Sequence, residues 1–375
     1  MNPERPFDGP RAWKAPAALA LGALMLGACT TLQRPKPVGE VHTSPPKAPR
    51  ETETRFEQPS PVTPAAAPTT EAGWADLYYQ KGDFKRSVAL LSEAVQKDQG
   101  NAKLWRNLGS SYAMADDFDN AILCFQRALK RNPADIKSFY DLSLVQGWKG
   151  SLPEAESAAK QGLSLEPQHA GLHSSLGNIY ADEQKEDDAL QEYATALKIN
   201  PADPVTRFNR GGLHFKRKEL GAAESDFNQV LKQTPQDLEA AQNLAAVYIL
   251  QGRLADAERL NKWVVQQRPK DEDTLENAYF NLGIIYDRQD KVEQALNLYK
   301  LALQVAPWDA AAYVNAAVIL ERLNRRSEAL AFWEKYQRLF PASRRADEIA
   351  KRIAILRRMV ALEKGGQGGT KQHGE

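Results

Sequence analysis

Seven prolines in the chain stand at a nearly fixed interval, and that interval decides what kind of fold is open to it. Pro133, Pro167, Pro201, Pro235, Pro269, Pro307 and Pro341 are separated by 34, 34, 34, 34, 38 and 34 residues. A segment that recurs at such a period is one supersecondary unit stacked on copies of itself, because a single unit cannot bury its own apolar face. Proline cannot continue a helix interior, so each member of the series ends one unit and starts the next. Beyond Pro68 only Pro153 and Pro204 fall outside the series, and both lie where a helix is expected to begin, a place that tolerates proline.

The residues between the prolines repeat as well. The clearest unit, from Ala102 to Pro133, carries Trp105, Leu108, Gly109, Tyr112, Ala121, Phe125 and Ala128 ahead of its proline. In those residues the chain resembles a tetratricopeptide repeat protein, and the resemblance covers about three quarters of the sequence. It implies an all-α fold, a right-handed solenoid of about eight antiparallel helix pairs over residues 68–341. Units start at Pro68, Ala102, Ile136, Ala170, Pro204, Leu238, Glu276 and Ala310.

Physical reasons fit the recurring positions. Two helices of a pair approach closely where they cross, and small residues recur there: Ala75, Gly109, Ser143, Gly177, Gly211, Ala245, Gly283 and Ala317 on first helices. Ser87, Ala121, Ala155, Ala189, Ala223, Ala257, Ala295 and Ala329 take the matching place on second helices. Bulk returns at Tyr78, Tyr112, Tyr180, Tyr248 and Tyr286, and at Leu91, Phe125, Tyr193, Phe227, Tyr299 and Trp333.

Departures from the pattern mark expected weak points. Gln146, Ala159 and Gly162 should leave the unit from Ile136 with a thin core, and Arg210 and His214 replace Leu and Tyr in the unit from Pro204. The four extra residues between Pro269 and Glu276 amount to about one helical turn, so they are expected to lengthen a helix. After Pro341, the stripe Ala346, Ile349, Ala350, Ile353, Leu356 and Val360 predicts a capping helix within residues 342–364, which covers the last unit. The Gly-rich residues 365–375 are expected to be a disordered tail.

The N-terminal region reads as targeting and tether. Arg5, Arg11 and Lys14 precede an uncharged apolar run from Ala15 to Ala28, too short to span a bilayer as a helix. Leu26-Gly27-Ala28-Cys29 then resembles the lipobox of bacterial lipoproteins. That resemblance implies a signal peptide over 1–28, cleavage before Cys29 and acylation of its thiol; Thr30, where inner-membrane lipoproteins often carry Asp, favours the outer membrane. Residues 29–67 are Pro-rich, 13 of the 22 prolines lying at or before Pro68, and suit a tether with a reach on the order of 30–40 Å.

Composition narrows the function. The 49 basic and 48 acidic side chains nearly cancel, which argues against a nucleic-acid partner. No phosphate loop, zinc-protease motif or nucleophile elbow occurs, so no catalytic residue, metal ligand, cofactor or small-molecule substrate is assigned. His169 and His173, four apart, could share a helix face as ligands, but they are read as a turn residue and a helix-face residue. His214 is read as a packing residue, and Cys124 as a small buried hydrophobe.

The resemblance also implies a site, because first helices of tetratricopeptide arrays line a concave groove that takes up extended or helical peptides. The matching positions are Tyr79, Arg106, Asn107, Tyr140, Trp148, Asn178, Phe208, Asn209, Phe215, Asn243, Phe280, Asn281, Ile284 and Asn315. Amides can donate to and accept from a peptide backbone, and aromatics give rigid anchors; the Asn series could equally mark the fold alone. Arg338, Arg344, Arg345, Lys351, Arg352, Arg357, Arg358 and Lys364 make the cap basic, either as a solvated face or as a second contact surface.

The expected function is that of a lipid-anchored adaptor facing the periplasm. It would bind envelope proteins in its groove and support an outer-membrane machine, similar to pilus-assembly tetratricopeptide lipoproteins. An adaptor for peptidoglycan enzymes or polysaccharide export is the alternative.

Overall fold

The structure, a computed structural model, describes residues 70–368 apart from Ala342 and Arg344. The expected signal peptide, Cys29, the tether and the last seven residues lie outside that range. Seventeen α-helices and no strand occur among the described residues. They form two compact units that divide between Glu219 and Leu220.

The first unit contains α1 (Glu71–Gln80), α2 (Phe84–Lys97), α3 (Ala102–Met114), α4 (Phe118–Arg131), α5 (Ile136–Trp148), α6 (Leu152–Leu165), α7 (Ala170–Asp182), α8 (Glu186–Ile199) and α9 (Pro204–Lys216). The second contains α10 (Leu220–Gln233), α11 (Leu238–Leu250), α12 (Leu254–Gln266), α13 (Glu272–Arg288), α14 (Val292–Val305), α15 (Ala310–Arg322), α16 (Arg326–Leu339) and α17 (Ala346–Gly368). Within each unit every helix packs on the next in the chain. The division falls inside the sequence repeat that carries Arg210 and His214, with α9 closing one unit and α10 opening the other.

Local chemistry sets the helix ends. First helices start on side chains that accept from the orphan amides of the first turn: Asn101 for α3, Asp203 for α9, Asp237 for α11 and Asp309 for α15. Each pair then reverses through one residue in the left-handed region. These are Gly82, Asp116, Gly150, Gln184, Lys218, Gly252, Asp290 and Asn324, which keep the period of the prolines. The next amide reaches back five residues, as in Asp117 N to Tyr112 O at 2.9 Å and Lys185 N to Tyr180 O at 2.8 Å. That is the bond of a Schellman turn, which satisfies a carbonyl of the last helical turn.

Close crossings explain the small residues. A methyl group at Gly109 would lie 2.8 Å from the Phe125 ring, and one at Gly177 or Gly283 would lie 2.6 Å from Tyr193 or Tyr299. Phe125, Tyr193 and Tyr299 are themselves buried, so each ring fills the space its glycine leaves. The recurring first-helix tyrosines have a second task. Tyr180 donates to Glu156 at 3.0 Å and Tyr286 to Glu258 at 3.1 Å, in each case the second helix of the preceding pair.

Buried hydroxyl bridges also cross from pair to pair. Ser87 meets Ser111 at 2.9 Å, Ser143 meets Ser175 at 2.8 Å, and Thr206 donates to Ser174 at 2.7 Å.

Three expectations are refined. The inserted residues do lengthen a helix, since α13 has 17 residues where α11 and α15 have 13. The pair from Ile136 is not thin at Gly162, because Leu172 and Phe139 occupy the space there, with Leu172 fully buried. The capping helix runs to Gly368, into residues expected to be tail. Its stripe Ile349, Ile353, Leu356 and Val360 is buried, while Ala350 is exposed.

Candidate partner-binding surface

First helices form the inner curve of each compact unit. Besides packing on their own partners, α3 touches α5, α5 touches α7 and α7 touches α9, and in the second unit α11 touches α13. The fourteen expected groove positions lie on these helices, on α1 and on α15, but they divide into two groups.

Tyr79, Asn107, Tyr140, Trp148, Asn209 and Phe215 are half-buried and present part of their surface to solvent. All six belong to the first unit. Tyr79 packs edge-on against Phe84 at 5.5 Å between centroids, Tyr140 lies 5.8 Å from the His169 ring, and Trp148 lies 6.1 Å from Phe118. These neighbours hold the rings in place while leaving one side open, which suits an anchor for an incoming apolar side chain.

Arg106, Asn178, Phe208, Asn243, Phe280, Asn281, Ile284 and Asn315 are buried, which corrects their reading as groove residues. Inward-facing positions of one first helix are covered by the next as the stack curves. The Arg106 guanidinium donates to both carboxylate oxygens of Asp135 at 3.1 Å, so it locks two pairs together. Asn178 Oδ1 accepts from the Tyr193 hydroxyl at 2.7 Å and from Asn209 Nδ2 at 3.1 Å. Phe280 is fully buried and meets Tyr299 edge-on at 5.4 Å. Asn107, Asn209, Asn243, Asn281 and Asn315 share one register position of their units, and of these Asn243, Asn281 and Asn315 are buried inside the second unit.

Sequence reading missed several side chains. Asp182, the last residue of α7, sits at the register position of Trp148 and Lys216 on the inner curve. Its Oδ2 has no hydrogen-bond partner, and burial pushes its carboxyl up to about 7 although Lys216 pulls it down. Trp308 is 63% exposed directly after a boundary proline, where the other units carry Ala134, Gln168, Ala202, Gln236, Lys270 and Ala342.

The remaining candidates are committed to local structure. His169 Nδ1 accepts from Leu172 N at 3.1 Å and caps α7; His173 bridges Glu192 at 2.6 Å and the Pro167 carbonyl at 3.0 Å. His214 pairs with Glu219 at 2.6 Å. Burial pushes the Cys124 thiol up to about 12, so little thiolate is available. Among the described residues no three His, Cys, Asp or Glu side chains are grouped to hold a metal ion, and no helix is long and apolar enough to cross a membrane. The basic cap is partly neutralised by Arg345–Glu348, Arg352–Glu321 and Arg357–Glu334 pairs.

A stack of helix pairs with its first helices on the inner curve and an open aromatic band there is the architecture of an interaction scaffold. Residues 73–136 and 177–218 match tetratricopeptide repeat models, and residues 211–320 match a model described as the TT21 fifth ARM repeats domain. The two matched stretches are thus tetratricopeptide repeats.

Among solved structures, the APC/C assembly Cut9–Hcn1 is similar at TM-score 0.54 and 15% identity, over 76% of this chain and 55% of that one. PilF of Pseudomonas aeruginosa is similar at TM-score 0.50 and 18% identity, over 60% of this chain and 99% of that one. Both likenesses are of fold. Among curated proteins, the human protein O-mannosyl-transferase TMTC3 is 26% identical over 164 residues, 40% of this chain and 18% of that protein. The peroxisomal targeting signal receptor of Saccharomyces cerevisiae is 28% identical over 138 residues, 33% of this chain and 22% of that protein. The chain thus matches about a fifth of the length of these relatives.

Proposed function

We propose that this protein is a lipid-anchored scaffold of the bacterial envelope that captures protein partners on the inner curve of its first compact unit and has no enzymatic activity of its own. The observation that carries the binding part is the open aromatic band. Tyr79 on α1, Tyr140 and Trp148 on α5 and Phe215 on α9 keep a solvent-facing side, and Asn107 on α3 and Asn209 on α9 add half-buried amides. Such a surface offers apolar anchors with polar groups that can pair with a peptide backbone. The anchor rests on the sequence Leu26-Gly27-Ala28-Cys29 at the end of an apolar run. A tether rich in proline after Cys29 would let the folded body reach partners away from an outer-membrane surface facing the periplasm. Support for the assembly of a pilus or secretion apparatus is the role that best suits a scaffold so placed.

Two experiments test the two halves separately. Capture of partners from envelope extracts should fall when Tyr140 and Trp148 are replaced by alanine, a loss of about tenfold or more for a hot-spot ring. Undiminished capture by that double variant would overturn the binding reading. Labelled fatty acid should enter the wild type and not Cys29→Ser, and equal labelling of both would overturn the anchor.

A further inference from the structure

The four-residue insertion ahead of α13 builds a feature the other units lack. Its added N-terminal turn carries Glu272 and Asp273 behind the capping residue Asp271. In register, Glu276 corresponds to Ala102, Ile136, Ala170, Pro204, Leu238 and Ala310, each half-buried at the start of its helix. Glu276 is only 7% exposed, and its Oε1 has no hydrogen-bond partner. A side-chain hydrogen bond joins it to Asp309, whose oxygens also cap α15 by accepting from Ala311 N at 2.8 Å and Ala312 N at 3.1 Å. The other charge acting on it is Asp273, also acidic. Burial, followed by the repulsion of Asp309, pushes the Glu276 carboxyl up to about 9. The residue before Asp309 is Trp308, an indole left 63% exposed although large aromatics normally gain by burial.

A buried acid with an unused oxygen, a second carboxylate beside it and an exposed aromatic next in sequence share one chemical complement, a cation carried on an extended stem. Guanidinium and ammonium groups lie on indole faces and pair with carboxylates, and Arg does both at once. We propose that this rim of α13 and α15 is a docking site for a basic segment of a partner protein, with an arginine or lysine side chain laid on Trp308 and its charge set against Asp309 and Glu276. When the cation arrives, the Glu276 carboxyl gives its proton to solvent and becomes the carboxylate that the cation pairs with. The site uses residues of the second compact unit alone and shares none with the aromatic band of the first.

Calorimetric titration tests this with the full chain and a defined probe, an acetylated and amidated peptide alternating glycine and arginine. Near pH 7.5, in two buffers of different ionisation heat, binding should saturate at one site and release about one proton. Trp308→Ala, a change at an exposed position, should weaken binding about tenfold. Glu276→Gln should keep the fold and abolish the proton release. Trp148→Ala should bind the peptide like the wild type, which separates this site from the groove of the first unit. Failure of the arginine peptide to bind, undiminished binding by Trp308→Ala, or proton release that persists in Glu276→Gln would each overturn the proposal.

Discussion

Replacing Gly283 by alanine sets helix propensity against packing. Alanine is favoured over glycine inside a helix by about 1 kcal/mol, so α13 considered alone should gain. The added methyl, however, would sit 2.6 Å from Tyr299 Cε1 and 2.9 Å from Cδ1 and Cζ. The ring would have to retreat by about 0.8 Å to restore an ordinary contact. Tyr299 is 1% exposed and meets the fully buried Phe280 edge-on at 5.4 Å, so the ring sits in a closed site with little space to retreat into. Overpacking of that kind costs about 1–3 kcal/mol, which leaves a net loss of up to about 2 kcal/mol once the propensity gain is subtracted. Gly221, exposed in the first turn of α10 with nothing within 4 Å of its would-be methyl, is the control. Gly221→Ala should stabilise by a few tenths to about 1 kcal/mol. Urea unfolding gives the totals, and hydrogen exchange in α13 and α14 localises the effect. A Gly283→Ala protein as stable as the wild type, with unchanged exchange in α14, would refute the view that the small residues are there for the crossing.

Other perturbations separate core from surface. Phe280→Ala should cost about 3–5 kcal/mol because it empties a sealed site, and a melting curve unchanged by the substitution would contradict its placement. The Asp182 carboxyl is raised in the folded chain, so its contribution is full below the unfolded value of 3.8, declines as pH rises and is lost above about 7. Asp182→Asn should therefore match the wild type near pH 4 and exceed it at pH 8 by about 1–2 kcal/mol, the figure allowing for solvent screening; parallel stability curves would exclude this. Gln184→Gly should stabilise by up to about 1 kcal/mol, because φ is +61° there and a side chain disfavours it. Cys124 should resist alkylation in the native state and react on unfolding, and rapid native labelling would show its site to be open.

The residues differ in how plainly they announced their roles. The proline series located the helix pairs, and the insertion after Pro269 reappears as the extra turn of α13, because both follow from chain length and the helix period. Small residues at crossings were legible for the same reason: Gly109, Gly177 and Gly283 each face a ring that has no other place to go. The groove was read less well. Spacing tells which face of a helix Phe208, Phe280 or Asn315 occupies, but not how far the next first helix closes over it, and that depends on packing between units. Leu172 filling the space at Gly162 is likewise a contribution from a neighbour that no inspection of the unit from Ile136 reveals. The left-handed residues escaped notice because Asp116, Gln184, Lys218, Asp290 and Asn324 share a position without sharing a residue type. Glu276 stands at an ordinary first position of its unit in sequence, and only its burial beside Asp309 makes it unusual.

The hydroxyl bridges between neighbouring pairs restrict how an array like this can shorten. Losing the 34 residues from Ala170 to Asp203 would bring Asn209 to the place of Ser175, opposite Ser143, where an amide can still bond a hydroxyl, but it would also remove Ser174 and Asp203, the partners of the buried Thr206 hydroxyl. Losing the 34 from Ile136 to His169 would set Ser175 opposite Gly109 instead, leaving a buried hydroxyl without its partner at a cost of about 1–3 kcal/mol. Recombination that drops either whole repeat therefore strands a buried hydroxyl, Thr206 in the first case and Ser175 in the second. Deletion proteins of both kinds should melt below the full array by more than the loss of one repeat accounts for, and restoring the partner by a Ser placed opposite the stranded hydroxyl should recover part of the difference.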